Sequence, residues 1–136
     1  NGDVLCDLDY RSFMRAHVDQ GSDVTVSSYR REVKIDFGVI DYDKDHKLKG
    51  FREKPTYSFE VSMGIYCIRR SVVDKLPRGV AYGFDNLMLD GMEEGADIWI
   101  RPYSGFWLDI GRPDDYQYAD EHFDELAGRL GLDKLQ

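Results

Sequence analysis

The sequence predicts one α/β domain, and three observations carry that reading. Segments with helical spacing alternate with short apolar runs of strand length from one end of the chain to the other. No linker, repeat or low-complexity stretch interrupts this alternation. The 136 residues, 42% of them hydrophobic, suffice for one domain with a buried core, so the span 1–136 is read as one unit.

Taken in order, Asp9 to Gln20 reads as a helix, because Tyr10, Phe13, Met14 and His17 follow the i, i+3, i+4, i+7 pattern and Gly21 can end it. Ser22 to Tyr29 alternates apolar and small polar residues and reads as a strand. Phe37-Gly38-Val39-Ile40 reads as another, and the polar turn 41–46 leads into Leu48 to Arg52, so a hairpin is expected. Phe59 to Ile68 is a strand, after which Ser71 is expected to cap a short helix broken at Pro77. Phe84, Leu87, Met88, Gly91 and Met92 define a helix stopping near Gly95. Asp97 to Ile100 and Phe106 to Ile110 read as strands. Pro113 with Asp114 and Asp115 starts a last helix, whose stripe is Tyr116, Ala119, Phe123, Leu126 and Leu130.

Composition excludes several classes. Twenty-six acidic against eighteen basic residues give a net charge of −8, which argues against a nucleic-acid partner but permits a small anionic substrate met by a few local cations. No apolar run approaches the ~20 residues that span a bilayer, so no membrane partner is expected. The opening Asn1-Gly2-Asp3 has neither an initiator Met nor a signal-peptide pattern, and is expected to begin in mid-protein. Cys6 and Cys67 each sit in apolar surroundings and form no CxxC motif, so free thiols in a cytoplasmic protein are expected.

Several candidate sites can be weighed singly. Asp41, Asp43 and Asp45 suggest a calcium loop, but its sixth and twelfth positions hold His46 and Arg52, and a solvated hairpin turn fits better. Asp7-Leu8-Asp9 is a DxD triplet of the kind that holds a metal and a nucleotide diphosphate, but three residues are a weak signal and Asp9 fits better as a helix cap. His17, His46 and His122 have no metal-ligand spacing and read as surface or helix-face residues. Neither a Gly-x-Ser-x-Gly elbow nor a P-loop occurs. Asp109 stands out, because a carboxylate among Trp107, Leu108 and Ile110 is costly to bury without a cation or hydrogen bonds.

Order and spacing add more than any single motif. Asn1-Gly2-Asp3, Phe37-Gly38-Val39-Ile40, Phe51-Arg52-Glu53-Lys54-Pro55, Ser62-Met63-Gly64-Ile65-Tyr66 and Gly105 to Gly111 with Pro113 and Tyr116 together resemble the sugar-1-phosphate nucleotidyltransferases. That family includes mannose-1-phosphate guanylyltransferases and glucose-1-phosphate thymidylyl- and uridylyltransferases. The resemblance runs from Asn1 to about Leu126, and Trp107 to Arg112 most resembles the guanylyltransferase-like branch.

The resemblance implies a Rossmann-like α/β fold with a mixed sheet, truncated at its N-terminus. It implies attack of a sugar 1-phosphate on the α-phosphorus of a nucleoside triphosphate, with Mg²⁺ neutralising charge. Asp3 and Asp109 would hold the metal, and Lys54 would bind the sugar phosphate. Glu53 would bond sugar hydroxyls, while Gly38 and Gly64 would let the backbone approach the sugar and Trp107 would pack beside it. Ser62 stands where the family often has Asn, and Arg112 where it often has Thr. The family's Gly-rich loop and basic Arg-Leu-x-Pro and Pro-Lys-Pro signature are not in these residues. The chain alone is therefore expected to be catalytically silent, with a bared sheet edge that either recruits a second copy as a homo-oligomer or is covered by a first part of the protein outside these residues. The alternatives are a DxD-type glycosyltransferase using Asp7 and Asp9, or a non-catalytic regulatory or assembly module.

Overall fold

Strand β2 (Val24–Lys34) occupies the centre of a three-stranded sheet of order β5-β2-β6 in the computed structural model, which describes residues 2–132. Strand β6 (Ile98–Tyr103) runs parallel to it, from Val24 opposite Ile98 to Tyr29 opposite Tyr103. Strand β5 (Thr56–Ile68) runs the other way, since Ile35 bonds Pro55, Arg30 reaches Ser58 and Ser27 reaches Met63. The sheet is therefore mixed. The first five residues of β2 are all buried, so both faces of this central strand are covered, its small polar residues included. Its hydroxyls find partners instead: Ser27 Oγ donates to Met63 Sδ at 2.9 Å.

Contacts divide the chain into two units, residues 1–29 with 62–136, and residues 30–61. In the first unit, β1 (Val4–Cys6) leads into α1 (Tyr10–Gln20). Asp9 caps α1, accepting from the N–H groups of Arg11 at 2.9 Å and Ser12 at 3.2 Å, and Gly21 ends it in the left-handed conformation at φ 70°. Phe13 of α1 joins Met63 and Ile65 of β5 in the core, where Val4, Cys6, Leu8, Tyr29 and Trp107 pack against them. Beyond β5 come α2 (Arg70–Val73), α3 (Phe84–Glu93), β6, β7 (Trp107–Asp109), α4 (Pro113–Glu121) and α5 (Phe123–Leu130).

Two expectations are corrected here. Ser71 lies inside α2 and does not cap it; the preceding Arg69 is tied to Asp23 by its N–H at 2.8 Å and its guanidinium at 3.1 Å, which fixes where β5 stops. The last helix is two helices, because His122 leaves helical geometry at φ −115°, ψ 22°. Its ring stacks on Tyr118 at 4.2 Å and bonds the Tyr118 carbonyl, while Asp124 and Glu125 favour a fresh N-terminus.

The second unit holds the outer parts of β2 and β5 and the hairpin of β3 (Val39–Tyr42) with β4 (Leu48–Arg52). Its turn is built by Asp43, whose Oδ1 accepts from the N–H groups of Asp45 and Lys47, both at 3.0 Å. The acidic turn is thus a hairpin device.

Candidate functional site

Two carboxylates from opposite ends of the chain meet beside the β1–β7 ribbon. These strands pair antiparallel, Val4 opposite Asp109 and Cys6 opposite Trp107, and the Ile110 N–H bonds the Asp3 carbonyl at 2.9 Å. That register brings Asp3 alongside Asp109. A Cβ on Gly111 would lie 2.7 Å from Asp3 Oδ2 and 3.1 Å from Asp109 Oδ1, so both oxygens border the space that glycine leaves open. Asp109 Oδ1 accepts the Gly111 N–H at 3.2 Å, and the Arg112 N–H closes the turn onto the Asp109 carbonyl at 3.1 Å before Pro113 starts α4. Among the described residues no side-chain cation pairs with either carboxylate, and no group of three or more His, Cys, Asp or Glu side chains is arranged to hold a metal ion. The need for Gly111 was not foreseen; its only signal was its place two residues after Asp109.

Trp107 connects this ribbon to β5. Its Nε1 donates to the Met63 carbonyl at 3.2 Å, and its ring lies 5.3 Å from that of Tyr29. Met63 is fully buried, which makes it a firm anchor. The next residue, Gly64, has φ 76°, a conformation that favours glycine, and its N–H donates to Ser62 Oγ at 3.2 Å. Trp107, Met63, Gly64 and Ser62 are thus linked contact by contact, with Asp109 two positions along β7.

Gly38, Glu53 and Lys54 belong to the second unit. A Cβ on Gly38 would fall 2.5 Å from the Phe51 ring and 3.3 Å from Glu53 Oε2, so these two side chains occupy the space beside that glycine. Lys54 has φ 41°, left-handed backbone that is uncommon outside glycine, immediately before Pro55.

The two carboxylates of the DxD alternative are already engaged within the fold. Asp7 Oδ1 accepts from the Phe106 N–H at 2.7 Å and from the Tyr103 hydroxyl, and its Oδ2 accepts from Arg129 Nε at 3.0 Å. Asp9 is the α1 cap. Burial alone would raise the Asp7 pKa, but the hydrogen bonds from Tyr103, Phe106 and Arg129, with the Arg129 charge, outweigh it and hold the carboxyl below its ordinary 3.8. Of the two readings, surface or helix face, His17 takes the second: it is buried on α1, with Nδ1 at 2.8 Å from Thr25 Oγ1 and 3.1 Å from Ser22 Oγ. Both cysteines are free thiols.

The family model for nucleotidyl transferases matches residues 1–125. The chain is 30% identical over 121 residues to the mannose-1-phosphate guanylyltransferase catalytic subunit beta of Drosophila pseudoobscura pseudoobscura, covering 85% of this chain and 32% of that protein. It is 30% identical over 125 residues to the UTP–glucose-1-phosphate uridylyltransferase of Synechocystis, covering 87% and 32%. Its fold matches HddC of Yersinia pseudotuberculosis, solved in complex with GMP-PN, with TM-score 0.59 and 26% identity over 90% of this chain and 53% of that one. The chain therefore spans about a third of the length of these curated relatives. From the match along nearly the whole sequence and the likeness of fold, the chain belongs to the nucleotidyl transferase family.

Proposed function

We propose that this chain supplies the metal-holding and sugar-phosphate-binding part of a sugar-1-phosphate nucleotidyltransferase, which joins a nucleoside triphosphate to a sugar 1-phosphate and releases pyrophosphate. The observation that carries the reading is the convergence of Asp3 Oδ2 and Asp109 Oδ1 around Gly111 with no side-chain cation to offset them among the described residues. Two carboxylates on one open space suit Mg²⁺, which takes few protein oxygens and completes its octahedron with water and phosphate. When bound, the ion supplies charge neutralisation between two anionic reactants.

The chain's own groups do the positioning. Asp109 is oriented by the Gly111 N–H and by the Trp107 bond to Met63, so its carboxylate is set before substrate arrives. Gly64 presents backbone without a side chain, leaving room for a sugar ring, and Ser62 Oγ lies beside it. In the second unit we assign Lys54 to the sugar phosphate and Glu53 to sugar hydroxyls, while the room beside Gly38, expected for the sugar, is taken by the Phe51 ring next to Glu53. The left-handed backbone of Lys54 supports this role, because such outliers gather at ligand clamps. The free, half-buried thiols support a reducing compartment, the cytoplasm. No helix among the described residues is long and apolar enough to cross a membrane.

The test is pyrophosphate release by the protein carrying this chain, with Mg²⁺, mannose 1-phosphate with GTP, and glucose 1-phosphate with UTP. Asp3→Asn and Asp109→Asn should each lower turnover on the order of 10²-fold, as loss of one preorganised charge-stabilising group does. Turnover unchanged in both would overturn the assignment, and release of a nucleoside diphosphate would favour the glycosyltransferase reading.

A further inference from the structure

A cavity of about 520 Å³ lies between the C-terminal half of α1, the turn after it and the end of β5. Its size is that of a small-molecule site, ~300–1,000 Å³. It shares no residue with the Asp3–Asp109 site. Met14, Val18 and Ile68 give it apolar walls. His17 also lines it, with only 9% of its surface exposed. The Nδ1 of this ring is held by Thr25 and Ser22. Every buried side-chain nitrogen and oxygen among the described residues has a partner, whereas His17 Nε2 bonds none. Nε2 is therefore not sealed off, and the cavity is the opening that His17 lines.

The charged side chains of the lining are both basic, and the carboxylates that pair with them, Asp23 and Asp74, lie outside it. Arg69 and Arg70 are its charged residues, and no carboxylate joins them, in a chain of net charge −8. Arg69 gives one Nη to Asp23 at 3.1 Å and the other to the Gly21 carbonyl; Arg70 gives Nε to Asp74 at 2.8 Å. A guanidinium carries five N–H groups, so both keep donors for a ligand. An apolar body in the walls and an anionic end at the donors satisfy every one of these groups.

We propose that this cavity binds a small organic monoanion with a short apolar body, a short-chain carboxylate in chemical class, held by His17 Nε2 and the two arginines. The experiment titrates the full chain with hexanoate, hexan-1-ol and inorganic phosphate, following the methyl groups of Met14, Val18 and Ile68 and the His17 ring nitrogens by NMR. Hexanoate should give saturable shifts at all four residues, with hexanol and phosphate at least about tenfold weaker. Val18→Trp, which fills the cavity from a position 67% exposed, should abolish the response. Arg70→Glu, on a side chain 85% exposed, should weaken hexanoate about fivefold. Neither change disturbs a buried group. Absence of saturable hexanoate shifts, or an unaltered response in Val18→Trp, would overturn the site. Hexanol binding as well as hexanoate, or unchanged affinity in Arg70→Glu, would overturn the anion; phosphate binding as well as hexanoate would overturn the apolar body.

Discussion

Arg129 donates its Nε to Asp7 Oδ2 at 3.0 Å across 122 positions of sequence, tying helix α5 to the segment that follows β1. The Arg129 guanidinium also lies 4.8 Å from the centre of the Phe106 ring, and the Phe106 N–H bonds the other Asp7 oxygen. One carboxylate thus gathers β1, the end of β6, the loop before β7 and α5. It anchors the strand pair that carries Asp3 and Asp109 while taking no part in their site.

This arrangement makes stability depend on pH with a definite sign. The Asp7 pKa is lowered on folding, so the unfolded chain takes up the proton first as pH falls. Its contribution is fully present above 3.8 and disappears as pH drops through the folded value. Asp7→Asn should cost about 1 kcal/mol at neutral pH, less than the ~1.5–3 kcal/mol usual for hydrogen bonds to a charged group because the side chain is partly exposed. Denaturant titrations of both proteins should converge below that pH. A gap that persists in acid would show that Asp7 acts through something other than its charge.

Gly111→Ala should damage ion binding without damaging the fold. The added methyl would come 2.7 Å from Asp3 Oδ2, so that carboxylate must move aside. Loss of a glycine narrows the unfolded ensemble, which offsets part of any local strain. Mn²⁺ affinity, read by electron paramagnetic resonance as a stand-in for Mg²⁺, should fall about tenfold, the scale for disturbing a ligand's surroundings. Unaltered Mn²⁺ affinity would mean that the space beside Gly111 is not the ion's position.

Lys54 offers a way to separate backbone from side chain. Left-handed backbone costs an ordinary residue about 1–2 kcal/mol, and glycine adopts it freely at some entropic cost. Lys54→Gly should therefore be at least as stable to heat as Lys54→Ala. Both should lose use of the sugar phosphate to the same degree in the intact protein, because both lack the ammonium group. If Lys54→Gly kept wild-type kinetics, the backbone and not the amine would be what matters there.

Local features were legible from the sequence and distant partnerships were not. The Asp9 cap, the Gly21 stop, the 41–46 turn and the Pro113 start depend on neighbours a few residues away, and each has a chemical reason visible in the chain. The order of motifs pointed to Asp3 and Asp109, yet only the β1–β7 register places their oxygens around Gly111. Asp7 was misleading in sequence because the two groups that claim its oxygens, Arg129 and the Phe106 N–H, lie far along the chain. The break at His122 escaped notice for a different reason: the apolar stripe runs across it with unbroken spacing, and no proline or glycine marks it.

Trp107→Phe isolates a positioning role. The phenyl ring can still pack near Tyr29, but the donor to the Met63 carbonyl is lost, and that carbonyl belongs to a fully buried residue. An unsatisfied partner of this kind costs about 1–3 kcal/mol, which thermal unfolding will register. A merely structural tryptophan would stop there. Because Asp109 lies two positions along the same strand and faces the same side, a looser β7 should also blunt ion binding. Mn²⁺ affinity in Trp107→Phe should fall at a temperature where the protein remains fully folded. In a chain already carrying Asp109→Asn, adding Trp107→Phe should cost much less further ion affinity, since the oriented carboxylate is gone. Fully additive losses would assign Trp107 to the core alone.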